Sequence, residues 1–206
     1  QALPKVFADT VISSEVWKSE VCFQRGKRYL VKAISGGGKS SLCSFIYGYR
    51  KDYLGNILFD DEDISTFDET RWCDIRNNNI SFLFQDLRLF DDLSALDNVM
   101  MKNKITNHLR EDRIISLFDR LGLSDKVNTP VKLLSLGQQQ RVAFIRSLCQ
   151  PFDFVLMDEP ISHLDDLNSE IIKGIIEEEL SLRGAGIIIT SVGKHIPIAF
   201  DEVLTL

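Results

Sequence analysis

Short apolar runs alternate along this chain with longer stretches in which apolar residues recur at every third or fourth position. That alternation marks buried strands separated by amphipathic helices. Residues 28–34 (RYLVKAI) predict a buried strand running straight into Ser35, Gly36, Gly37 and Gly38, after which residues 39–49 carry Leu42, Phe45 and Ile46 at helical spacing. Residues 55–60 (GNILFD) predict a further strand. Thr66 and Glu69 stand at the spacing of a capping box, so a short helix is expected to end near Asn77, ahead of a strand over 80–84. From 86 to about 133 the pattern turns to polar–apolar helical segments, clearest in DLSALDNVMM and REDRIISLFDRLGL. Residues 138–149 then place Val142, Ile145 and Leu148 on one helix face, and 152–157 form a continuous apolar strand ending at Asp158 and Glu159. Leu167, Ile171, Ile175 and Leu180 mark a helix closed by Arg183 and Gly184. Residues 186–190 read as a last inner strand and EVLTL as an edge strand. The expected class is α/β: a mainly parallel sheet covered by helices, with an antiparallel β portion at the N-terminus and a helical insertion.

Composition narrows the classes this chain can join. A length of 206 residues suits one α/β domain or a core with one insertion. The expected division is a single domain over 1–206, with a core of 1–85 and 135–206 and a helical subdomain over 86–134. Hydrophobic residues make up 44% and charged residues 26%, ordinary globular usage that supports a sizeable core. The formal net charge of −6 provides no clustered cationic face, so nucleic acid is not an expected partner. Cys22, Cys43, Cys73 and Cys149 lack metal-binding or paired spacing, which suits small core residues in a reducing compartment. No apolar run reaches the ~20 residues of a membrane-spanning helix. The chain opens at Gln1 without a basic-then-apolar leader, so a trimmed N-terminus is expected rather than a secretory one.

Two segments carry chemistry. AISGGGKS fits the phosphate-loop pattern of a P-loop NTPase at all but its first position: glycines let consecutive backbone N–H groups converge on phosphate oxygens at a helix N-terminus. Lys39 adds a point charge toward the outer phosphates, and the Ser40 hydroxyl can ligate magnesium. Ala33 stands where glycine is usual, which costs almost nothing if its φ is negative and about 1–2 kcal/mol if the backbone is left-handed. FVLMDEP ends a strand on two carboxylates with different tasks: Asp158 to hold the water shell of magnesium, Glu159 to polarise an attacking water. Pro160 stops the strand.

LSLGQQQR at 134–141, together with FVLMDEP, the following SHLD at 162–165 and Gln85 in ISFLFQDLRLF, resembles the ATPase subunit of an ABC transporter over nearly the whole chain. The resemblance implies two ATP molecules sandwiched in a head-to-tail dimer. Ser135 and Gly137 would meet the nucleotide held by the other copy's phosphate loop. A helix N-terminus with a serine and a close-approach glycine is a ready anion site, which agrees. Leu136 replaces a common glycine there. By the same carry-over, the nucleotide site comprises Ser35, Gly36, Gly37, Gly38, Lys39, Ser40 and Ser41, with Ser135, Gly137, Gln138 and Asp165 contributed across the dimer. Gln85 resembles the glutamine that reaches magnesium and the attacking water, which makes Ser40, Gln85 and Asp158 the magnesium set. Phe7 is the candidate for stacking on adenine, whereas Trp17 fits core packing better.

One departure touches mechanism directly. The family places a histidine after the last inner strand, and Ser191 stands there instead. A neutral hydroxyl can donate one hydrogen bond but lacks the reach and charge of imidazole, so transition-state positioning should weaken. Glu159, Lys39, Gln85 and Ser191 form the expected catalytic group. His195 is expected to be a solvated loop residue, as are His108 and His163. The resemblance implies ATP and Mg2+ as ligands, and as partners a second copy and integral membrane permease subunits. It places the chain in the cytoplasm, peripheral on the inner face of the cell membrane. Within the family, the short core and FQDLRLFDDLSALDNV are most similar to lipoprotein-release and macrolide-export ATPases. The competing readings are a slow or non-hydrolytic ATP clamp, a DNA-repair or chromosome-organising cassette, and a nucleotide kinase. The last two leave the short insertion, or LSLGQQQR and SHLD, unexplained.

Overall fold

The computed structural model describes residues 2–9, 14–17, 19–33 and 36–206. Ser35, expected in the phosphate loop, lies outside the described residues. The elements begin with β1 (Ala2–Pro4), β2 (Arg28–Lys32) and α1 (Lys39–Ile46), then β3 (Tyr53–Gly55), β4 (Leu58–Phe59), β5 (Glu62–Asp63), α2 (Glu69–Asn78) and β6 (Ile80–Leu83). They continue with α3 (Ala95–Thr106), α4 (Glu111–Arg120), α5 (Leu136–Leu148), β7 (Phe154–Asp158), α6 (Asp166–Arg183), β8 (Gly186–Ser191) and β9 (Glu202–Thr205).

The frame is a five-stranded sheet in the order β6-β7-β8-β2-β9, and each pairing in it is parallel. Its strands are apolar on both faces because helices cover both, and the side chains divide with period two. Leu30, Val155, Met157, Ile187 and Ile189 join a core with α5, α6 and the helices α3 and α4. Tyr29, Val31, Leu156, Ile188 and Leu204 point the other way, into a core rich in aromatic residues from α1, α2 and the N-terminal segment. The antiparallel part consists of β1 paired with β3 and the small β4–β5 hairpin. In a parallel sheet all carboxyl ends lie on one edge, so the segments leaving β2, β6, β7 and β8 converge there.

Several local expectations are corrected. Helix α1 ends at Ile46, since the left-handed Gly48 (φ 72°) breaks it before Tyr49. The stretch 55–60 is not one strand: it divides into the end of β3 and the start of the hairpin, whose turn holds Asp60 and Asp61 at positive φ. Asp68, not Thr66, caps α2, its carboxylate accepting from the Arg71 N–H at 2.7 Å, while the Thr66 hydroxyl donates to the Asp63 carbonyl. On α6 the buried stripe is Ile172, Ile175, Ile176 and Leu180, and Leu167 is exposed. Among the described residues no helix is long and apolar enough to cross a membrane.

Candidate functional site

Gly38 caps α1 in a left-handed conformation (φ 93°), which frees the first N–H groups of the helix on the side of the preceding glycines. The cradle is backed by aromatic rings. A Cβ at Gly38 would stand 3.1 Å from the Trp17 ring and 3.3 Å from the Phe7 ring, and the Trp17 indole N–H donates to the Gly37 carbonyl at 3.3 Å. Trp17 is buried, as its apolar pattern implies, while Phe7 is half-buried beside the loop. Ala33 is not among the residues with positive φ, so alanine there carries no left-handed strain.

Lys39 is only 7% exposed, and its Nζ lies 3.6 Å from Oε1 of Glu159, a charge pair set at the tip of β7. The Ser40 hydroxyl donates to Oδ2 of Asp158 at 2.6 Å and lies 3.4 Å from the Gln85 Oε1. Thr190 donates to the other Asp158 oxygen at 2.5 Å, which fixes the carboxylate from the neighbouring strand. Ser40, Asp158 and Gln85 thus present an all-oxygen donor set, the type that suits a small hard divalent cation. The donors fit magnesium. The Ser41 hydroxyl accepts from the Arg50 guanidinium at 2.8 Å, so it also anchors the turn after α1.

Glu159 has φ 51°, a backbone conformation rare outside glycine. Two elements hold it there. Its N–H donates to the Thr190 carbonyl at 3.0 Å, and its carbonyl accepts from Nε2 of Gln140 at 3.1 Å. Gln140 also takes the His163 N–H at 3.1 Å and sits 3.4 Å from the Ser162 hydroxyl, so one buried amide ties α5 to the tip of β7 and to the loop before α6. Sequence reading named Ser135, Gly137 and Gln138 in this turn and missed Gln140. The available signal was its helical spacing, three and four residues before the buried Ala143 and Phe144.

At the start of α5, Ser135 and Gln138 form a reciprocal capping box: Oγ of Ser135 accepts from the Gln138 N–H at 3.3 Å and the Gln138 Oε1 from the Ser135 N–H at 2.9 Å. The cap uses a lone pair of the serine and not its proton. Gly137 faces the loop before α6, where a Cβ would come within 2.9 Å of the His163 carbonyl. Asp165 caps α6, accepting from the Asn168 N–H at 2.8 Å. That bond, more than the nearby Arg141 and Lys194, holds its carboxyl below the ordinary range.

Ser191 closes the turn that follows β8. Its residue is 1% exposed and its hydroxyl is engaged in its own turn, donating to the Lys194 carbonyl at 2.8 Å and accepting from the Gly193 N–H at 3.1 Å. His195 contacts the Gly193 carbonyl and packs its ring near Phe200. Another unforeseen contact is Arg146 of α5, which donates to the carbonyls of Leu87 and Arg88 just after Gln85, both at positive φ.

This geometry agrees with what the chain is similar to. Residues 18–162 match the model of the ABC transporter family. The chain is 29% identical over 212 residues, 100% of this chain and 90% of the relative, to the lipoprotein-releasing system ATP-binding protein LolD of Shewanella denitrificans. It is 32% identical over 188 residues to the macrolide export ATP-binding/permease protein MacB of Shewanella oneidensis, covering 88% of this chain but only 28% of that protein. Among solved structures, it matches the dimeric structure of an ATP-binding cassette in a post-hydrolysis state bound to ADP and Pi. The TM-score is 0.74 at 25% identity, covering 83% of this chain and 77% of that one. The glycine cradle, the paired Lys39 and Glu159, the capped α5 and the family match lead to one conclusion: the chain belongs to the ABC transporter family, as its ATP-binding cassette.

Proposed function

We propose that this cassette binds and hydrolyses ATP as a head-to-tail pair of identical chains and drives separate transmembrane subunits, in export or lipoprotein release. The observation that carries the reading is the joining of Lys39 to Glu159 and of Ser40 to Asp158 at the carboxyl ends of β2 and β7, beside the independently capped α5. The described Gly36, Gly37 and Gly38 supply N–H groups for the phosphates, Lys39 neutralises the outer ones, and Ser41 and Phe7 flank the nucleotide. Ser40, Gln85 and Asp158 would hold Mg2+, which neutralises phosphate charge when bound. The Glu159 carboxylate accepts the proton of the attacking water, and Gln85 orients that water. Ser135, Gly137, Gln138 and Asp165 face the nucleotide of the other copy. The chain would then sit in the cytoplasm against the inner face of the membrane, bound to a permease.

A second reading, an ATP-dependent clamp with slow turnover, is favoured by the one fact that the Ser191 hydroxyl is engaged in its own turn. Steady-state ATP turnover of the purified chain, with Glu159→Gln as the blank, separates the two. We expect turnover at least about tenfold above the blank, since loss of a general base commonly costs 10²–10⁴. Turnover equal to the blank establishes the clamp and defeats hydrolysis.

A further inference from the structure

Closure of the turn after β8 by Ser191 directs Lys194 toward the loop that precedes α6. There the Lys194 Nζ donates to the Leu164 carbonyl at 2.8 Å and pairs with Oδ1 of Asp166 at 2.9 Å. These two contacts bracket Asp165. The same loop is gripped from its other side by α5, through the His163 N–H to Gln140 bond at 3.1 Å and the close approach of Gly137 to the His163 carbonyl. Residues 162–166 are therefore held between the helix that begins at Ser135 and the turn that occupies the histidine position of the family.

We propose that Lys194 is a positioning residue that sets the pose of the Asp165 loop in its own chain, coupling the β8 turn that Ser191 closes to that loop. The proposal rests on the dimeric ATPase reading given above. An ion pair between half-exposed Lys194 and exposed Asp166 contributes little alone. The decisive contact is the charge-assisted bond to the Leu164 carbonyl, since a backbone acceptor can be met in only one loop pose. Asp166 then steers the ammonium rather than anchoring it.

The test uses the full chain with Lys194→Gln, Lys194→Arg, Asp165→Ala and the double variant Lys194→Gln/Asp165→Ala. Amide hydrogen exchange without nucleotide should speed up about fivefold or more across residues 162–166 in Lys194→Gln and stay near wild type in Lys194→Arg. ATP turnover should fall about tenfold in Lys194→Gln with KM for ATP within about twofold, and the double variant should be no slower than Asp165→Ala. Unchanged exchange in Lys194→Gln, or effects that multiply in the double variant, would overturn the proposal. Wild-type turnover equal to the Glu159→Gln blank would instead defeat the underlying hydrolysis reading, and the exchange result then decides the role of Lys194 by itself.

Discussion

Glu159 carries its carboxylate on a left-handed backbone, a placement that costs about 1–2 kcal/mol for a residue with a Cβ. The bonds from its N–H to Thr190 and from Gln140 to its carbonyl offset that cost and aim the side chain at Lys39. Site geometry and strain thus fall on one residue, as is common where position matters more than stability. Burial also silences two thiols, Cys43 beside the site and Cys149 at the far end of α5. Desolvation raises Cys43 well above the ordinary thiol range and Cys149 to about 12, whereas Cys22 and Cys73 are exposed. Since the thiolate is the nucleophile, alkylation of the native chain near neutral pH should modify Cys22 and Cys73 and spare the other two until denaturant is added. Mass spectrometry after brief iodoacetamide treatment reads this directly. Native labelling of Cys43 at the rate of Cys22 would show that the core opens far more readily than its packing implies.

At the scale of elements, the turn between α1 and β3 depends on Gly48. Its φ is 72°, and a Cβ there would lie 2.4 Å from the Trp72 ring, which packs edge-on against Phe67 and beneath the Arg76 guanidinium. Gly48→Ala combines backbone strain with a clash against a buried indole, so a loss of about 2–4 kcal/mol is expected. Thermal unfolding should show it as a clearly lowered Tm, while ATP affinity per folded molecule stays near wild type. A Tm within a degree of wild type would mean that Trp72 has room to move. The end of α1 and the break in 55–60 share one cause. Asp60, Asp61 and Gly48 take positive φ in turns that join apolar runs, and an apolar pattern does not reveal where such a turn falls. Leu167 misled for a related reason: periodicity alone fits more than one helix face, and only the docking of α6 on the sheet adds Ile172 and Ile176 to Ile175 and Leu180 and leaves Leu167 exposed.

For the whole molecule, the cap at Ser135 is complete within one chain, yet the cap uses the serine as an acceptor and leaves its hydroxyl proton for a further partner. On the head-to-tail reading that partner is nucleotide on a second copy. Glu159→Gln should therefore sediment as a dimer with ATP and Mg2+ and as a monomer without them. Adding Gly137→Ala should weaken that dimer about tenfold or more, because the new methyl meets the His163 carbonyl of its own chain and must displace the start of α5, which carries Ser135. A Glu159→Gln chain that stays monomeric at saturating ATP would remove the basis of the shared site. Helices α4 and α6 are joined by Arg113 and Arg120 to Glu178, and by Arg113 to the buried Glu179. The helices after β6 and the helix that covers the sheet thereby share charges as well as apolar core.

The sequence by itself determined the strands of the parallel sheet, the glycine turn, the acidic strand end and the Ser-x-Gly-Gln turn, because each is a local pattern of particular residues at fixed spacing. It also determined that Lys39, Ser40, Asp158 and Glu159 belong together, since a parallel sheet brings the carboxyl ends of its strands to one edge. Only the tertiary structure decided how these groups are held. Gln140, Thr190, Arg146 and Lys194 act on partners far away in the chain, and no spacing rule links them. The same holds for Ser191. Its position marks an absent histidine, but the inward turn of its hydroxyl follows from the fold of residues 191–194, which brings the Lys194 carbonyl within hydrogen-bond distance.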